Sequence, residues 1–159
     1  MGALVFGIFL GFMTLTRLVG PRALDRFGRV AVLRVLVLLA ILGLALFVFA
    51  PLELAMLGVV LWGIGAGLGF PVGMSAASDD PLRAAARVSV VSTVGYMAFM
   101  AGPPILGLLA EQVGYRGALG FVLVPLAISL LASGATRPLA ERDGFTGTSD
   151  GHRMRPADQ

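Results

Sequence analysis

The 159-residue sequence contains no cysteine and no lysine, and only 13% of its residues are charged. The absence of cysteine excludes disulfides, thiolate metal sites and cysteine nucleophiles. A soluble domain carries about 25% charged residues, whereas here 57% of the residues are hydrophobic. The few charges stand in short clusters between apolar runs, so the composition indicates an all-α, polytopic membrane protein.

A second absence concerns titratable side chains, because no Asp, Glu, His or Lys lies deep in any apolar run. A membrane enzyme needs a general base, a metal cluster or a nucleophile with its base inside the bilayer. We therefore expect neither an enzyme nor a cofactor or metal site. Proton-coupled carriers generally hold a titratable group in the membrane, so any proton-coupling residue would lie outside this chain.

Five uncharged runs are long enough to cross a bilayer as helices. At about 1.5 Å rise per residue, roughly 20 residues span a hydrocarbon core of about 30 Å. The predicted membrane domain covers residues 1–136, with spans at about 2–20, 31–50, 54–76, 86–110 and 117–136. Apolar sequence begins at Met1 without a basic segment before it, so we expect a truncated or misassigned start rather than a signal peptide.

The composition changes after the fifth run. Residues 137–159 are rich in Asp, Gly, Arg, Ser, Thr and Pro and have almost nothing to bury. We therefore predict a disordered cytoplasmic tail, with the only histidine, His152, solvated within it.

Arginine is distributed unequally between the two sides that five spans create. Residues 17–34, residues 79–87 and the C-terminal tail share one side and hold eleven of the twelve arginines, and the other side holds only Arg116. The positive-inside rule places the arginine-rich side in the cytoplasm. We predict a multi-pass protein of the plasma membrane with its N-terminus outside and its C-terminus cytoplasmic. Lipid headgroups explain these arginines more simply than nucleic acid does.

Residues 17–29, which we call the arginine-rich segment, hold four arginines and one aspartate. Such a cluster is expected to form a loop outside the bilayer. Arg17 lies about one turn from the end of its span, so its head group can extend to the interface. Further along, Asp80 suits the N-cap of the next helix and Pro81 its first position.

Glycine and proline concentrate in the third and fourth spans. Three glycines recur at every fourth residue from 65 to 73 and would form a flat face, which suits either static packing or sliding during gating. The run lacks the strand and the water-exposed helix start of a phosphate-binding loop. Prolines should bend the third span and kink the fourth. The predicted packing and kink residues are Gly65, Gly69, Pro71, Gly73, Gly102, Pro103, Pro104 and Gly107.

A polar stripe follows one face of the fourth span at helical spacing. Polar side chains in a membrane helix usually face protein or a water-filled cavity, and this favours a cavity lining for Ser92, Tyr96 and Met100. Ser89 is expected instead to satisfy its own helix backbone. Trp62, near the outer end of the third span, suits either an interfacial anchor or a cavity wall.

Residues 20–29, G-P-R-A-L-D-R-F-G-R, resemble the signature G-x-x-x-D-R-x-G-R of the major facilitator superfamily, with one extra residue before Asp25. Downstream, Gly67–Pro71, the group Asp79-Asp80-Pro81 with its following arginines, and Gly102–Gly107 resemble helices ten and eleven of such carriers. The resemblance covers residues 1–136. It implies that the five spans correspond to helices eight to twelve, part of the C-terminal six-helix bundle of a twelve-helix transporter.

The resemblance implies alternating-access transport of a small-molecule solute, with the missing N-terminal half as partner. It places Asp25 as a latch on a helix N-terminus of that half, where the helix dipole favours an anion. The implied gate residues are Arg17, Gly20, Asp25, Arg26, Gly28 and Arg29. The possible cavity residues are Thr14, Trp62, Ser92, Tyr96 and Met100.

Two alternatives stay open: a free-standing five-helix membrane protein that self-associates through its glycine faces, or an inactive gene product.

Overall fold

The computed structural model describes residues 2–133, and all regular structure within that range is helical. The helices are α1 (Gly2–Phe27), α2 (Arg29–Phe49), α3 (Leu52–Ala66), α4 (Gly69–Ala77), α5 (Ala84–Gly120) and α6 (Leu123–Ala132). The all-α membrane class predicted from composition is confirmed. The predicted tail, residues 137–159 with His152, lies outside the described residues.

Within residues 2–133, four segments are long and apolar enough to cross a membrane, namely 2–27, 29–49, 52–77 and 84–132. The sequence predicts five spans. The fourth candidate segment covers the predicted run 86–110 and residues 117–132 of the predicted run 117–136. That segment has 49 residues, more than twice the ~20 that one crossing needs. Its helix is broken at Gly114, whose φ of 77° and ψ of 161° are not helical. The predicted turn at residues 111–116 therefore coincides with this break.

The part of the chain after Gly114 runs back along α2. Arg116 donates hydrogen bonds to the carbonyls of Phe47 and Ala50 at the C-terminal end of α2, with its Nη2 at 2.7 and 2.8 Å from the two oxygens. At the other end of the segment, Arg34 Nε, near the start of α2, donates to Ser133 Oγ at 3.1 Å. Residues 116–133 are therefore antiparallel to α2 and fastened to it at both ends.

The arginine-rich segment is helical, so the predicted loop is wrong. Residues 17–27 complete α1, residue 29 begins α2, and only Gly28 between them leaves helical geometry. Leucine, arginine and alanine, which fill most of the segment, are strong helix formers. At 26 residues, α1 is about 39 Å long and exceeds a hydrocarbon core of about 30 Å. Charge therefore excludes its last turns from the core without excluding them from the helix.

The third candidate span is interrupted at Gly67 and Leu68, between α3 and α4. Pro71 lies in the first turn of α4, where proline is tolerated because the N–H groups of that turn have no acceptor within α4 itself. The sequence expects a bend caused by Pro71. In the structure the discontinuity precedes Pro71 and divides the span into two helices.

The start of α5 differs from the predicted one. Leu82 N donates to Asp80 Oδ1 at 3.1 Å, and residues 81–83 form a turn before the helix begins at Ala84, with Arg83 at the N-cap. Asp80 therefore closes a turn with the residue two positions on, as aspartate commonly does. Its assignment as the helix N-cap, with Pro81 as the first helical residue, is wrong.

Helix α3 packs between α1 and α2 through glycines. Gly58 faces Gly43 of α2, where a Cβ would lie 2.8 Å from the backbone nitrogen of Phe47, and Gly65 faces Leu36 and Ala40. On the α1 side, a Cβ at Gly63 would lie 2.7 Å from the carbonyl oxygen of Phe9. Close backbone approach of this kind drives helix association in lipid, where burial of apolar surface contributes little.

The predicted glycine face is not formed. Gly65 packs closely against α2, but a Cβ at Gly69 or Gly73 would meet nothing within 4 Å, and the same is true of Gly102 and Gly107. The interruption at residues 67–68 separates Gly65 from the other two, so the four-residue repeat no longer marks one side of a continuous helix. Pro103 and Pro104 lie within α5.

Gly58→Ala should destabilise the α2–α3 pair, because the added methyl group would meet the backbone of Gly43 and Phe47 rather than a movable side chain. Overpacking costs about 1–3 kcal/mol, and we expect that decrease in the free energy of unfolding measured in lipid bicelles. Gly7→Ala is the matched control, since a Cβ at Gly7 meets nothing within 4 Å. Equal stability of the two variants would contradict the close packing.

Candidate functional site

Glycine occupies two signature-like positions of the arginine-rich segment, 20 and 28, for two different structural reasons. Gly20 is buried, and a Cβ there would clash with the side chain of Leu68 at the α3–α4 interruption. Gly28 joins α1 to α2 with φ 79° and ψ 157°, a backbone region that essentially only glycine occupies. One glycine therefore permits close packing and the other permits the turn.

Arg17 contacts the interrupted third span. Its Nε donates a hydrogen bond to the carbonyl oxygen of Gly67 at 3.0 Å. Gly67 follows the last residue of α3, and the carbonyls at a helix C-terminus carry partial negative charge that favours a cation. Arg17 therefore complements the C-terminal end of α3, and its interfacial position stays a prediction.

Arg29 ties the opposite end of α4. Its Nη1 lies 2.5 Å from Oδ2 of Asp79, two residues beyond the helix, and both side chains are mostly buried, at 28% and 22% exposed. A more open pair, Arg87 with Asp80, has its nearest atoms 3.6 Å apart. The arginine-rich segment thus holds α4 at both ends, through Arg17 at its start and Arg29 at its finish.

Asp25, the predicted latch, is exposed on the last turns of α1. Within residues 2–133 it makes neither a salt bridge nor a side-chain hydrogen bond. Its neighbour Arg26 lies 5.4 Å from the ring centroid of Phe27. The structure therefore brings Arg17, Gly20 and Arg29 to the ends of α4, and leaves Asp25 and Arg26 facing outward.

A cavity of about 330 Å³ lies between α4 and α5. Ser92 is half-buried, with its Oγ 3.7 Å from Sδ of Met74, and Tyr96 is 74% exposed. No charged side chain contributes to the lining, and among residues 2–133 no group of three His, Cys, Asp or Glu could hold a metal ion. The lining consists of Phe70, Ser92, Gly95, Tyr96 and Phe99.

The other predicted cavity residues lie elsewhere. Met100 is 81% exposed and does not line this cavity, and Thr14 is exposed on α1. Trp62 packs between Phe9 and Phe47, with ring centroids 4.8 and 6.3 Å away. Trp62 is therefore part of the contact among α1, α2 and α3.

The sequence prediction missed three cavity residues, Phe70, Gly95 and Phe99, because it followed polar side chains. Phe99 stands three residues after Tyr96 and seven after Ser92, which places all three on one face of α5. Gly95 lies against the ring of Phe70, where a Cβ would be 2.8 Å from its Cε2 atom. A search for aromatic residues on the same helical stripe would have found Phe99. The contact between α4 and α5 has no comparable sequence signal.

Comparison with known proteins gives a consistent family. Residues 1–153 match the family described as the Major Facilitator Superfamily. The chain is 34% identical over 134 residues to membrane protein MosC of Rhizobium meliloti, covering 83% of this chain and 33% of that protein. It is 32% identical over 135 residues to an uncharacterised MFS-type transporter of Yersinia pestis, covering 83% and 35%. An uncharacterised transporter of Sinorhizobium fredii is 33% identical over 129 residues, covering 78% and 34%.

The chain thus spans about a third of the length of the curated relatives it matches. No solved structure matches it significantly.

The Arg29–Asp79 pair should contribute measurably to stability, because both side chains are mostly shielded from water. In a double-mutant cycle with alanine at each position, we expect a coupling of roughly 1 kcal/mol in the free energy of unfolding in bicelles. The Arg87–Asp80 pair, with Arg87 43% exposed, is the control and should show weaker coupling. Equal coupling in the two cycles would contradict a special role for Arg29 at the end of α4.

Proposed function

Because this chain belongs to the Major Facilitator Superfamily, we propose that it is the C-terminal portion of a secondary transporter that moves a small solute by alternating access. Members of this family are transporters rather than enzymes. The observation that carries the proposal is the position of α4. The arginine-rich segment contacts both of its ends, and Phe70 on the same helix lines the cavity with α5.

The arginine-rich segment acts as one side of a cytoplasmic gate in this proposal. Asp25 is exposed and has no polar partner within residues 2–133, which suits a carboxylate that meets another part of a longer chain. A helix N-terminus there would attract it through the helix dipole. Arg29, bonded to Asp79, would keep the turn after α1 in place while Asp25 engages and releases its partner.

The cavity between α4 and α5 forms part of the solute pathway in this proposal. Three aromatic rings and the hydroxyls of Ser92 and Tyr96 line it. Such a wall contacts a solute through ring faces and a few hydrogen bonds. It provides no counter-ion, so any charge on the solute or any coupling proton would be balanced by residues outside this wall.

The proposed orientation places the N-terminus outside and the C-terminus in the cytoplasm of the plasma membrane. Arg29 and Arg34 lie at the start of α2, and Arg116 is bonded to its end. Opposite ends of one spanning helix therefore carry the arginine-rich and the arginine-poor sides. The positive-inside rule assigns the start of α2 to the cytoplasm.

The extent of the protein is tested by the genomic DNA that precedes the codon for Met1. An in-frame continuation encoding about seven further spans, as in twelve-helix carriers built from two six-helix halves, would support the transporter. A promoter and ribosome-binding site directly before Met1 would instead support the free-standing membrane protein or the inactive product.

Asp25→Asn in the complete transporter should abolish or strongly reduce solute uptake into proteoliposomes, because the neutral amide loses the attraction to a helix N-terminus. The same change should leave the unfolding free energy of this chain alone unaltered, because Asp25 is exposed and unpaired within residues 2–133. Arg22→Ala, on the same exposed helix end, is the control. Normal uptake by the Asp25 variant would refute the latch.

Tyr96→Ala should raise KM for the transported solute by roughly tenfold, the loss expected for about 1.4 kcal/mol of ring and hydroxyl contact. Ser92→Ala should have a smaller effect in the same direction. The solute is first identified by screening labelled small molecules for uptake. Met97→Ala is the control, since Met97 is 66% exposed and outside the cavity lining. Unchanged KM in both cavity variants would remove this cavity from the pathway.

A further inference from the structure

One backbone carbonyl at the α3–α4 interruption cannot be satisfied by helix geometry. In an α-helix the carbonyl of residue 67 accepts from the N–H group of residue 71, and residue 71 is proline, which has none. The regular pattern resumes one residue later, because Val72 N donates to the oxygen of Leu68 at 3.0 Å. The carbonyl of Gly67 would therefore lack its helical donor at residue 71 even if the helix continued through residues 67 and 68.

Arg17 supplies a donor at this position. Its Nε lies 3.0 Å from the oxygen of Gly67, although the two residues are 50 positions apart in the sequence. We infer that Arg17 substitutes for the missing N–H group of Pro71, and so acts as a positioning residue for the interrupted span. Backbone polar groups within a bilayer must be satisfied by protein because water is absent. This requirement gives a defined role to the one charged side chain among residues 1–21.

The packing of α1 on α3 places Arg17 within reach of its acceptor. A Cβ at Gly67 would lie 2.8 Å from Cβ of Thr16, so glycine there allows the two helices to approach closely. Thr16 itself is not the donor, because its Oγ1 donates to the carbonyl of Phe12 at 2.9 Å in its own helix. One turn further along α1, Gly20 lies against Leu68. Close contacts between α1 and the interruption, at Thr16 and at Gly20, therefore lie on both sides of Arg17 along α1.

The consequence of this bond extends to the cavity. Phe70 follows Gly67 by three residues and forms part of the cavity wall. Holding the carbonyl of Gly67 fixes the direction in which α4 leaves the interruption, and with it the ring of Phe70. This last step rests on the proposed solute pathway, whereas the role of Arg17 as substitute donor does not.

The test is a cycle of Arg17→Ala, Pro71→Ala and the double variant, made in this chain and reconstituted in lipid nanodiscs. Arg17→Ala alone should lower the unfolding midpoint, because the Gly67 carbonyl loses its donor. The Pro71→Ala change restores an N–H group at the helical position, so Arg17→Ala should have a much smaller effect in that background. Arg22→Ala, an exposed arginine of the same helix, should change nothing. An equal loss in both backgrounds would overturn the inference.

A direct measurement at the acceptor complements the stability cycle. The carbonyl ¹³C chemical shift of Gly67 reports its hydrogen bond, and it should move upfield in Arg17→Ala and return in the double variant. If Arg17→Ala does not fold, Arg17→Gln offers a neutral side-chain donor and should keep most of the shift. A Gly67 resonance that is the same with and without Arg17 would refute the bond. Neither readout depends on transport, so failure here is distinguishable from failure of the proposed function.

Discussion

Inside a bilayer every backbone hydrogen-bonding group must find its partner within the protein, and most features of this chain follow from that constraint. A continuous helix meets it automatically, but each helix end or interruption leaves carbonyls without donors. Here arginine side chains supply them. Arg17 bonds the carbonyl of Gly67 where the third span is interrupted, and Arg116 bonds two carbonyls at the end of α2. The guanidinium group suits this task because it carries several donors and complements the negative end of the helix dipole.

The same constraint explains how charge and glycine cooperate. An arginine can reach a helix end across a neighbouring helix only if the two backbones approach closely. Glycines provide that approach where α3 meets α1 and α2, and where Gly20 meets Leu68. The arginines that determine the predicted topology therefore also bond to helix ends, and the glycines allow the helices to approach closely enough for those bonds to form. Arg17 and Arg29 belong to the segment that predicts topology, and they also fasten the two ends of α4.

Composition was sufficient to predict the membrane class, because uncharged apolar runs of about 20 residues are typical of membrane-spanning helices. The signature-like spacing also identified Gly28, whose backbone conformation requires glycine, and Gly20, which packs closely against the side chain of Leu68. The predicted loop failed because charge excludes a segment from hydrocarbon but does not prevent it from being helical. The predicted glycine face failed because residues 67 and 68 interrupt the helix between Gly65 and Gly69, and a four-residue repeat marks one face only along a continuous helix. Of the five residues that line the cavity between α4 and α5, the sequence singled out only Ser92 and Tyr96, because it followed polar side chains, and whether this cavity belongs to the solute pathway stays a prediction.

Helix α4 is the element that contacts both the arginine-rich segment and the cavity. It is only nine residues long, it begins at an interruption, and α1 and α2 each contribute one arginine that fastens an end of it. Its remaining side contacts α5 at the cavity. The bond from Arg17 holds the carbonyl of Gly67, two residues before α4 begins, and the regular helical pattern starts with the bond from Val72 N to the oxygen of Leu68. In the proposed transport cycle, a displacement of α1 relative to α3 would act on Gly67 first and on Phe70 three residues later, and the bond from Arg17 would couple the arginine-rich segment to the cavity wall.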